Sequence, residues 1–211
     1  MESSVKLRPA TADDIPSMVE VELSAFNNSP LNARCFPTSS PVDDKRLEWM
    51  RVNIPDITLA VVSEAASPDS GGTGTTETVL GWVRWVRKPW TGDPGPRPVV
   101  TPDQYPADGD PELAARFFQA NIDQSREIMH GRNHWFLSML VVRKEAQRKG
   151  VGSALMAVGT EAADREGYDA YVNASIDGKG LYEKFGFRTV AENFFTKEIA
   201  VWHMRRDAKN V

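Results

Sequence analysis

A short basic stretch that contains two glycines, Gln147-Arg148-Lys149-Gly150-Val151-Gly152, has the composition of an anion-binding loop. The apolar residues 135–142 precede it, and a run of that length predicts a buried strand rather than a membrane span. After the loop, apolar residues recur at helical spacing from Val151 to Ala162, which predicts an amphipathic helix. The first N–H groups of a helix lack partners within it, and the helix dipole favours negative charge there. The stretch therefore predicts a loop that binds a pyrophosphate.

The spacing of the glycines indicates which pyrophosphate to expect. It matches neither the G-x-x-x-x-G-K-[ST] loop of nucleoside triphosphatases nor the G-x-G-x-x-G loop of dinucleotide-binding folds. The observed Gln147-x-x-Gly150-x-Gly152 resembles the acetyl-CoA-binding motif of the GCN5-related N-acetyltransferase (GNAT) superfamily. Further along, Ala174-Ser175-x-x-Gly178-x-x-Leu181-Tyr182-x-Lys184-x-Gly186-Phe187 looks like the segment that follows the motif helix in that family. Two motifs in this order, separated by one helix and one strand, are more specific than either alone.

The resemblance implies an α/β fold whose central sheet is mixed, mostly antiparallel and flanked by helices. The sheet would be splayed between the strand that ends at Val142 and the strand that ends near Asn173, with the pantetheine arm of acetyl-CoA in the split. Main-chain amides and nearby cations of the loop would bind the pyrophosphate, although a solvated basic turn is the alternative for Arg148 and Lys149. The residues implied to bind the cofactor are Leu140, Val141, Val142, Gln147, Arg148, Lys149, Gly150, Val151, Gly152, Ser153, Asn173 and Ser175.

Tyr182 is the side chain that the resemblance implies for catalysis, because a tyrosine at this position commonly protonates the leaving thiolate of coenzyme A in the family. A phenol with a pKa near ~10 is protonated at neutral pH and is a suitable acid toward a thiolate. The alternative is a tyrosine that only packs on a short helix. For Asn173 and Ser175, the alternative to cofactor binding is a cap at the end of a strand.

The general base is not assigned by the sequence. Relatives often carry a glutamate or histidine in the middle of the motif strand, where this chain has Phe136 and Ser138. Glu22, His134 or a chain of water molecules are the remaining candidates for the base or the acceptor site. For Glu22 the structural alternative is an ion pair with an arginine, and His134, like His203, could be an ordinary structural histidine. Cys35 is not expected to be a nucleophile, since it lies in a predicted loop with no histidine near it in sequence.

The remaining elements predict one domain over residues 1–211 with an insertion at about 88–130. Strands are expected near 5–8, 57–62, 79–86, 170–175, 188–190 and 199–204, and helices from Thr11, from Pro41 to Arg51 and over 112–129. Residues 27–40 are expected to form a loop, and 67–78 a hairpin tip. Seven prolines between Lys88 and Pro111 exclude regular structure there. Because long loops in compact domains are often functional, the insertion is interpreted as a lid or wall for a second substrate, or as a passive surface excursion.

Composition limits the partners and the compartment. The formal net charge of −4 does not favour nucleic acid as a partner, and the chain has one cysteine, which suits a reducing compartment such as the cytoplasm. No metal site, membrane span or signal peptide is expected, and the protein would be a monomer or homodimer. The leading hypothesis is an N-acetyltransferase that acetylates a primary amine of a small molecule from acetyl-CoA. The alternatives are a protein or peptide N-acetyltransferase, a non-catalytic acyl-CoA sensor and, more remotely, a nucleotide-binding protein.

Overall fold

The structure is a computed structural model that describes residues 5–26, 29–37, 44–65 and 75–209. Its centre is a seven-stranded sheet in the order β1-β2-β3-β4-β5-β7-β6. All neighbouring strands pair antiparallel except β4 and β5, which are parallel. The strands are β1 (Lys6–Pro9), β2 (Ile57–Ala65), β3 (Thr75–Lys88), β4 (His134–Val142), β5 (Asp169–Ala174), β6 (Arg188–Phe194) and β7 (Ala200–Arg206). The expected mixed, mostly antiparallel sheet is thus confirmed.

Helices cover both faces of this sheet, and alternation along β3 explains how. Trp82 packs with α1 and α3 on one face, whereas Val83 and Trp85 pack with α5 on the other. Gly159 allows the close approach of α5, since a Cβ there would overlap the ring of Trp85 at 2.0 Å. The helices are α1 (Ile15–Phe26), α2 (Pro30–Cys35), α3 (Asp44–Asn53), α4 (Pro111–Ile128), α5 (Val151–Glu166) and α6 (Ile176–Lys184).

The short helix α2 corrects the prediction of a loop over residues 27–40. The Ser29 hydroxyl accepts a hydrogen bond from the Asn32 amide at 3.4 Å, and Pro30 occupies the first turn. Both are standard signals for a helix start. Two other predicted features, the start of a helix at Pro41 and most of the hairpin tip at 67–78, lie outside the described residues.

Strands β4 and β5 pair over only four residue pairs, from His134 with Asp169 to Leu137 with Val172. Beyond these pairs β4 continues alongside β3 to Val142, while β5 continues alongside β7 to Ala174. The register between β3 and β4 shifts at Ser138, because Arg84 pairs with Met139 and Trp85 pairs with Leu137. A residue left over in this way is a β-bulge, which bends its strand. The expected splay of the sheet is therefore present, and a bulge lies at its start.

The proline-rich stretch between β3 and α4 is irregular apart from one turn of 3-10 helix at Pro102–Gln104, as its prolines indicate. Side chains of α4 attach it to the domain. The guanidinium group of Arg126 donates hydrogen bonds to the main-chain carbonyls of Pro94, Gly95 and Pro96. The Tyr105 ring stacks on Phe118 with 5.4 Å between centroids.

Within the described ranges, no helix is both long enough and apolar enough to cross a membrane.

Candidate active site

The loop between β4 and α5 presents a run of main-chain N–H groups. A 3-10 turn at Lys144–Ala146 follows β4, and Arg148 and Gly150 then adopt positive φ angles of 60° and 86°. Among the described residues, no acceptor is recorded for the main-chain N–H groups from Arg148 to Ser153, and the first bond of this turn runs from the Ala154 amide to the Gly150 carbonyl. Successive unpartnered amides at a helix N-terminus form an anion site. This geometry fits a pyrophosphate.

The side chain of Gln147 contributes to the structure of this loop. Its side-chain amide donates a hydrogen bond to the Val142 carbonyl at 3.1 Å and so holds the loop against the end of β4. Gly152 lies against α6, where an added Cβ would meet the Leu181 side chain at 3.2 Å. The two motifs found in the sequence are therefore in contact in the fold.

Tyr182 lies in α6 and is nearly buried, with 8% of its surface exposed. Burial raises the pKa of the Tyr182 phenol to about 12, so that the hydroxyl is protonated throughout the neutral range. Gly178, one helical turn earlier, makes space for the ring, because a Cβ there would lie 3.0 Å from the Tyr182 hydroxyl oxygen. The Ser175 hydroxyl caps the same helix by accepting a hydrogen bond from the Gly178 amide at 3.3 Å. Ser175, which follows the end of β5, is thus the N-cap residue of α6.

A cavity of about 920 Å³ opens beside the splay. His134 and residues Phe136 to Met139 of β4 border it, as do Tyr171, Asn173 and Ser175 from the neighbouring segments. Helices α1, α3 and α4 and the proline-rich stretch form other parts of its wall. Leu140, Val141, Val142, Tyr182 and the loop from Gln147 to Ser153 lie outside this lining. The predicted site residues therefore fall into two groups, one in the cavity and one around the β4–α5 loop.

The two candidates for the base, Glu22 and His134, both border the cavity. Glu22 is buried, with 5% of its surface exposed, and forms an ion pair with Arg46 of α3. The Nδ1 atom of His134 lies 3.1 Å from the Arg132 carbonyl, and burial lowers the pKa of this imidazole. Ser138, at the bulge, accepts a hydrogen bond from the Arg84 guanidinium at 3.1 Å.

Asn173 belongs to a polar network that joins the sheet to α4 through the Ser125 hydroxyl. Its Oδ1 accepts hydrogen bonds from the Tyr171 hydroxyl at 2.9 Å and from Nδ1 of His203 at 3.0 Å. The Nε2 of His203 accepts from the Asn193 amide at 2.9 Å, so the proton is on Nδ1. Burial lowers the pKa of His203 to about 4, which keeps this imidazole neutral at pH 7. His203 is therefore a structural residue, in agreement with its interpretation from sequence.

Two further observations concern residues that sequence reasoning set aside or missed. Burial raises the pKa of the Cys35 thiol, which disfavours the nucleophilic thiolate. Trp49, Asn121 and Trp202 border the cavity although no motif marks them. They come from three elements far apart in sequence, so only the fold brings them together.

Comparison with known proteins shows similarity of sequence over part of the chain and similarity of fold over nearly all of it. Residues 125–208 match the family model described as the acetyltransferase (GNAT) domain. An agmatine N-acetyltransferase mutant has a similar fold, with a TM-score of 0.68, 12% identity, and coverage of 96% of this chain and 99% of that one. Arylalkylamine N-acetyltransferase 2 from Aedes aegypti has a TM-score of 0.63 at 13% identity, with coverage of 98% and 100%.

A third solved structure, the NatC complex bound to Gag peptide and CoA, has a TM-score of 0.55 at 12% identity and covers 98% of this chain and 99% of that chain. At such identities these structures show similarity of fold, and the family model adds similarity of sequence over β5 to β7 and the motif region. The resemblance to the GNAT superfamily is confirmed, since residues 125–208 match its acetyltransferase family model and the fold of the chain is similar to those of solved acetyltransferases.

Proposed function

We propose that this protein is an N-acetyltransferase that transfers an acetyl group from acetyl-CoA directly to a primary amine of a small molecule. The observation that carries the proposal is the opening between β4 and β5. The unpartnered amides of the β4–α5 loop lie beyond the end of β4, and the large cavity lies beside the opening. An elongated donor with an anionic group at one end and a reactive group at the other suits this arrangement.

The proposed donor site consists of the twelve cofactor-binding residues that the resemblance implies. The structural support differs between the loop, the end of β4 and the basic side chains. The amides from Arg148 to Ser153 would bind the pyrophosphate, because they are oriented by the helix start and have no recorded protein acceptor within the described part of the chain. The main chain of Leu140 to Val142 faces no strand on the β5 side, so it offers hydrogen bonds to a pantetheine arm. Arg148 and Lys149 are exposed cations beside the same loop.

Acetyl-CoA supplies the acyl group and a thiolate leaving group. The amine nitrogen forms a bond to the acetyl carbon, and the bond from that carbon to sulfur breaks. Tyr182 would donate its phenolic proton to the departing sulfur, which its raised pKa permits at neutral pH. A main-chain N–H near Leu140 or Val141 would stabilise the negative charge that develops on the acetyl oxygen. Fixing both substrates in one orientation would supply much of the rate.

The amine must lose a proton, and the candidates for accepting it are Glu22, His134 and water. His134 borders the cavity, and the lowered pKa of its imidazole leaves it neutral and able to accept a proton at neutral pH. Glu22 borders the same cavity, but Arg46 already neutralises its carboxylate. These contacts favour His134 or water over Glu22 as the acceptor of the proton.

A protein or peptide N-acetyltransferase is the second candidate, favoured by the similarity of fold to the NatC complex bound to a peptide. The proteins of similar fold that are named for agmatine and for arylalkylamines favour a small amine instead. The cavity supports the small-molecule proposal, since a volume of about 920 Å³ lies within the range of small-ligand sites, ~300–1,000 Å³.

The proposal is tested by release of free thiol from acetyl-CoA in the presence of amines, with mass spectrometry of the acetylated product. We expect thiol release that depends on the amine, and a product whose mass exceeds that of the amine by an acetyl group in place of one hydrogen. A panel of polyamines, arylalkylamines, amino sugars, amino acids and N-terminal peptides separates the two candidates. Tight binding of acetyl-CoA without acetylation of any member of the panel would instead indicate an acyl-CoA sensor.

A further inference from the structure

The wall of the cavity away from the β4–α5 loop is rich in aromatic side chains that come from separate parts of the fold. They are Phe26 of α1, Trp49 of α3, Trp90 of the proline-rich stretch, Phe117 and Phe118 of α4, Phe136 of β4 and Trp202 of β7. Aromatic side chains offer large, flat, apolar surfaces, whose removal from water is favourable. A ligand with its own flat apolar surface gains most from such a wall.

The charged groups of the same wall are already paired or lie at its exposed rim. Glu22 is paired with Arg46, Arg132 with Asp169, and Arg126 with three main-chain carbonyls. The Asp93 carboxylate accepts a hydrogen bond from the Gly95 amide. Asp177 and Glu198 are exposed. Asp93, Asp177 and Glu198 form no ion pair among the described residues, but they lie at the exposed rim. A second cationic group that entered the inner part of the cavity would therefore lose water without gaining a free carboxylate, which is unfavourable.

Asn121 is a polar exception in the α4 part of this wall. It borders the cavity with 7% of its surface exposed, and its side-chain oxygen is buried without a hydrogen-bond partner among the described residues. A buried polar atom is nearly always paired in a native protein, so an unpaired one needs an explanation. The last torsion of an asparagine side chain has two broad orientations, so rotation presents either the oxygen or the NH2 group to a ligand.

We infer that the acceptor is a monoamine that carries an aromatic ring or an apolar group of similar bulk. This group lies against the aromatic wall beneath the insertion, and Asn121 forms a hydrogen bond with a polar group of the acceptor. The inference rests on the proposed acetyl transfer and specifies its substrate class. It also gives the insertion a role as one wall of the acceptor site, with Trp90, Phe117 and Asn121 as specificity-determining residues.

The test compares kcat/KM for four amines at saturating acetyl-CoA: 2-phenylethylamine, tryptamine, putrescine and agmatine. We expect the two aromatic monoamines to exceed the two dicationic amines by roughly tenfold or more, because only the former bury a ring against the wall. Equal values, or a preference for putrescine or agmatine, would overturn the substrate class while leaving acetyl transfer intact. No acetylation of any amine in the wider panel would contradict the proposed function itself.

Two substitutions in the wall and one control locate the binding surface. Trp90→Leu and Asn121→Leu should each raise KM for 2-phenylethylamine by roughly tenfold and leave KM for acetyl-CoA unchanged. Tyr168→Leu is the matched control, since Tyr168 is a partly exposed aromatic residue that does not border the cavity. Circular dichroism establishes that each variant folds, and Trp49→Leu, at a partly exposed position, replaces Trp90→Leu if that variant does not. Unchanged KM for the amine in folded wall variants would refute the inference.

Discussion

Gly178 and Gly180 lie in the same helix, α6, but an added methyl group would meet different surroundings at each. At Gly178 a Cβ would lie 2.8 Å from Cε2 and 3.0 Å from the hydroxyl oxygen of Tyr182, whereas at Gly180 no heavy atom lies within 4 Å. Non-bonded carbon atoms prefer separations of about 3.5–4.0 Å. In Gly178→Ala the Tyr182 ring must therefore move by roughly 0.7 Å, while Gly180→Ala leaves it in place.

The expected consequence for catalysis follows from this displacement. A misplacement of about 1 Å at a reacting group can cost about a hundredfold in rate, so Gly178→Ala should lower kcat by roughly tenfold to a hundredfold. Alanine is favoured over glycine inside a helix by about 1 kcal/mol. Gly180→Ala should therefore unfold at a higher urea concentration with unchanged kcat, and the clash in Gly178→Ala should remove this gain in stability.

The assay is thiol release under saturating concentrations of both substrates, together with urea unfolding of both variants. Gly180→Ala controls for the effect of alanine on the helix itself. A folded Gly178→Ala variant with the kcat of the wild type would show that the position of the Tyr182 hydroxyl does not matter for turnover. That result would refute Tyr182 as the acid.

Three further predictions concern single groups. Tyr182→Phe should lower kcat by about 10²–10⁴-fold, and an unchanged kcat in pH-controlled assays would contradict the role of Tyr182 as the acid. In the wild type the phenol should remain protonated as the pH rises to about 10, because its pKa is about 12. Asn121→Leu should leave the free energy of unfolding unchanged or raise it by about 1–3 kcal/mol, since it removes an unpaired buried oxygen; urea unfolding measures this, and a large loss of stability would indicate a structural role. Hydrogen bonds from Arg8 lower the pKa of Asp14 to about 2 from 3.8, so this carboxylate should contribute about 2 kcal/mol above pH 4, which is lost as pH falls toward 2. Asp14→Asn should remove that pH dependence from the unfolding curves, and identical pH profiles for variant and wild type would exclude the contribution.

The sequence was sufficient to predict the elements around the proposed donor site, because their signals are local. The strand, the glycine-containing turn and the helix from Val151 are consecutive, and each has its own periodicity or turn residue. The prolines likewise excluded regular structure between β3 and α4. Helix α2 was missed although Ser29 and Pro30 mark its start, since its six residues are too few to show an apolar stripe.

The acceptor side could not be predicted because it depends on contacts between distant segments. The ion pair of Glu22 with Arg46 joins two helices, and Asn121 borders the cavity only through the docking of α4. The bulge at Ser138 is a property of the register between β3 and β4, and no residue type in either strand predicts it. Such features follow from packing rather than from local spacing.

The four residue pairs between β4 and β5 are the only hydrogen-bonded seam that the described sheet has between its two halves, β1–β4 and β5-β7-β6. A ligand that bonded to the free length of β4 would extend this seam, so occupancy and rigidity would be coupled. The main-chain amides of Leu140 to Val142 would then exchange hydrogen with solvent more slowly when acetyl-CoA is bound. Amide exchange at the end of β4 would thus measure occupancy by the proposed donor independently of turnover.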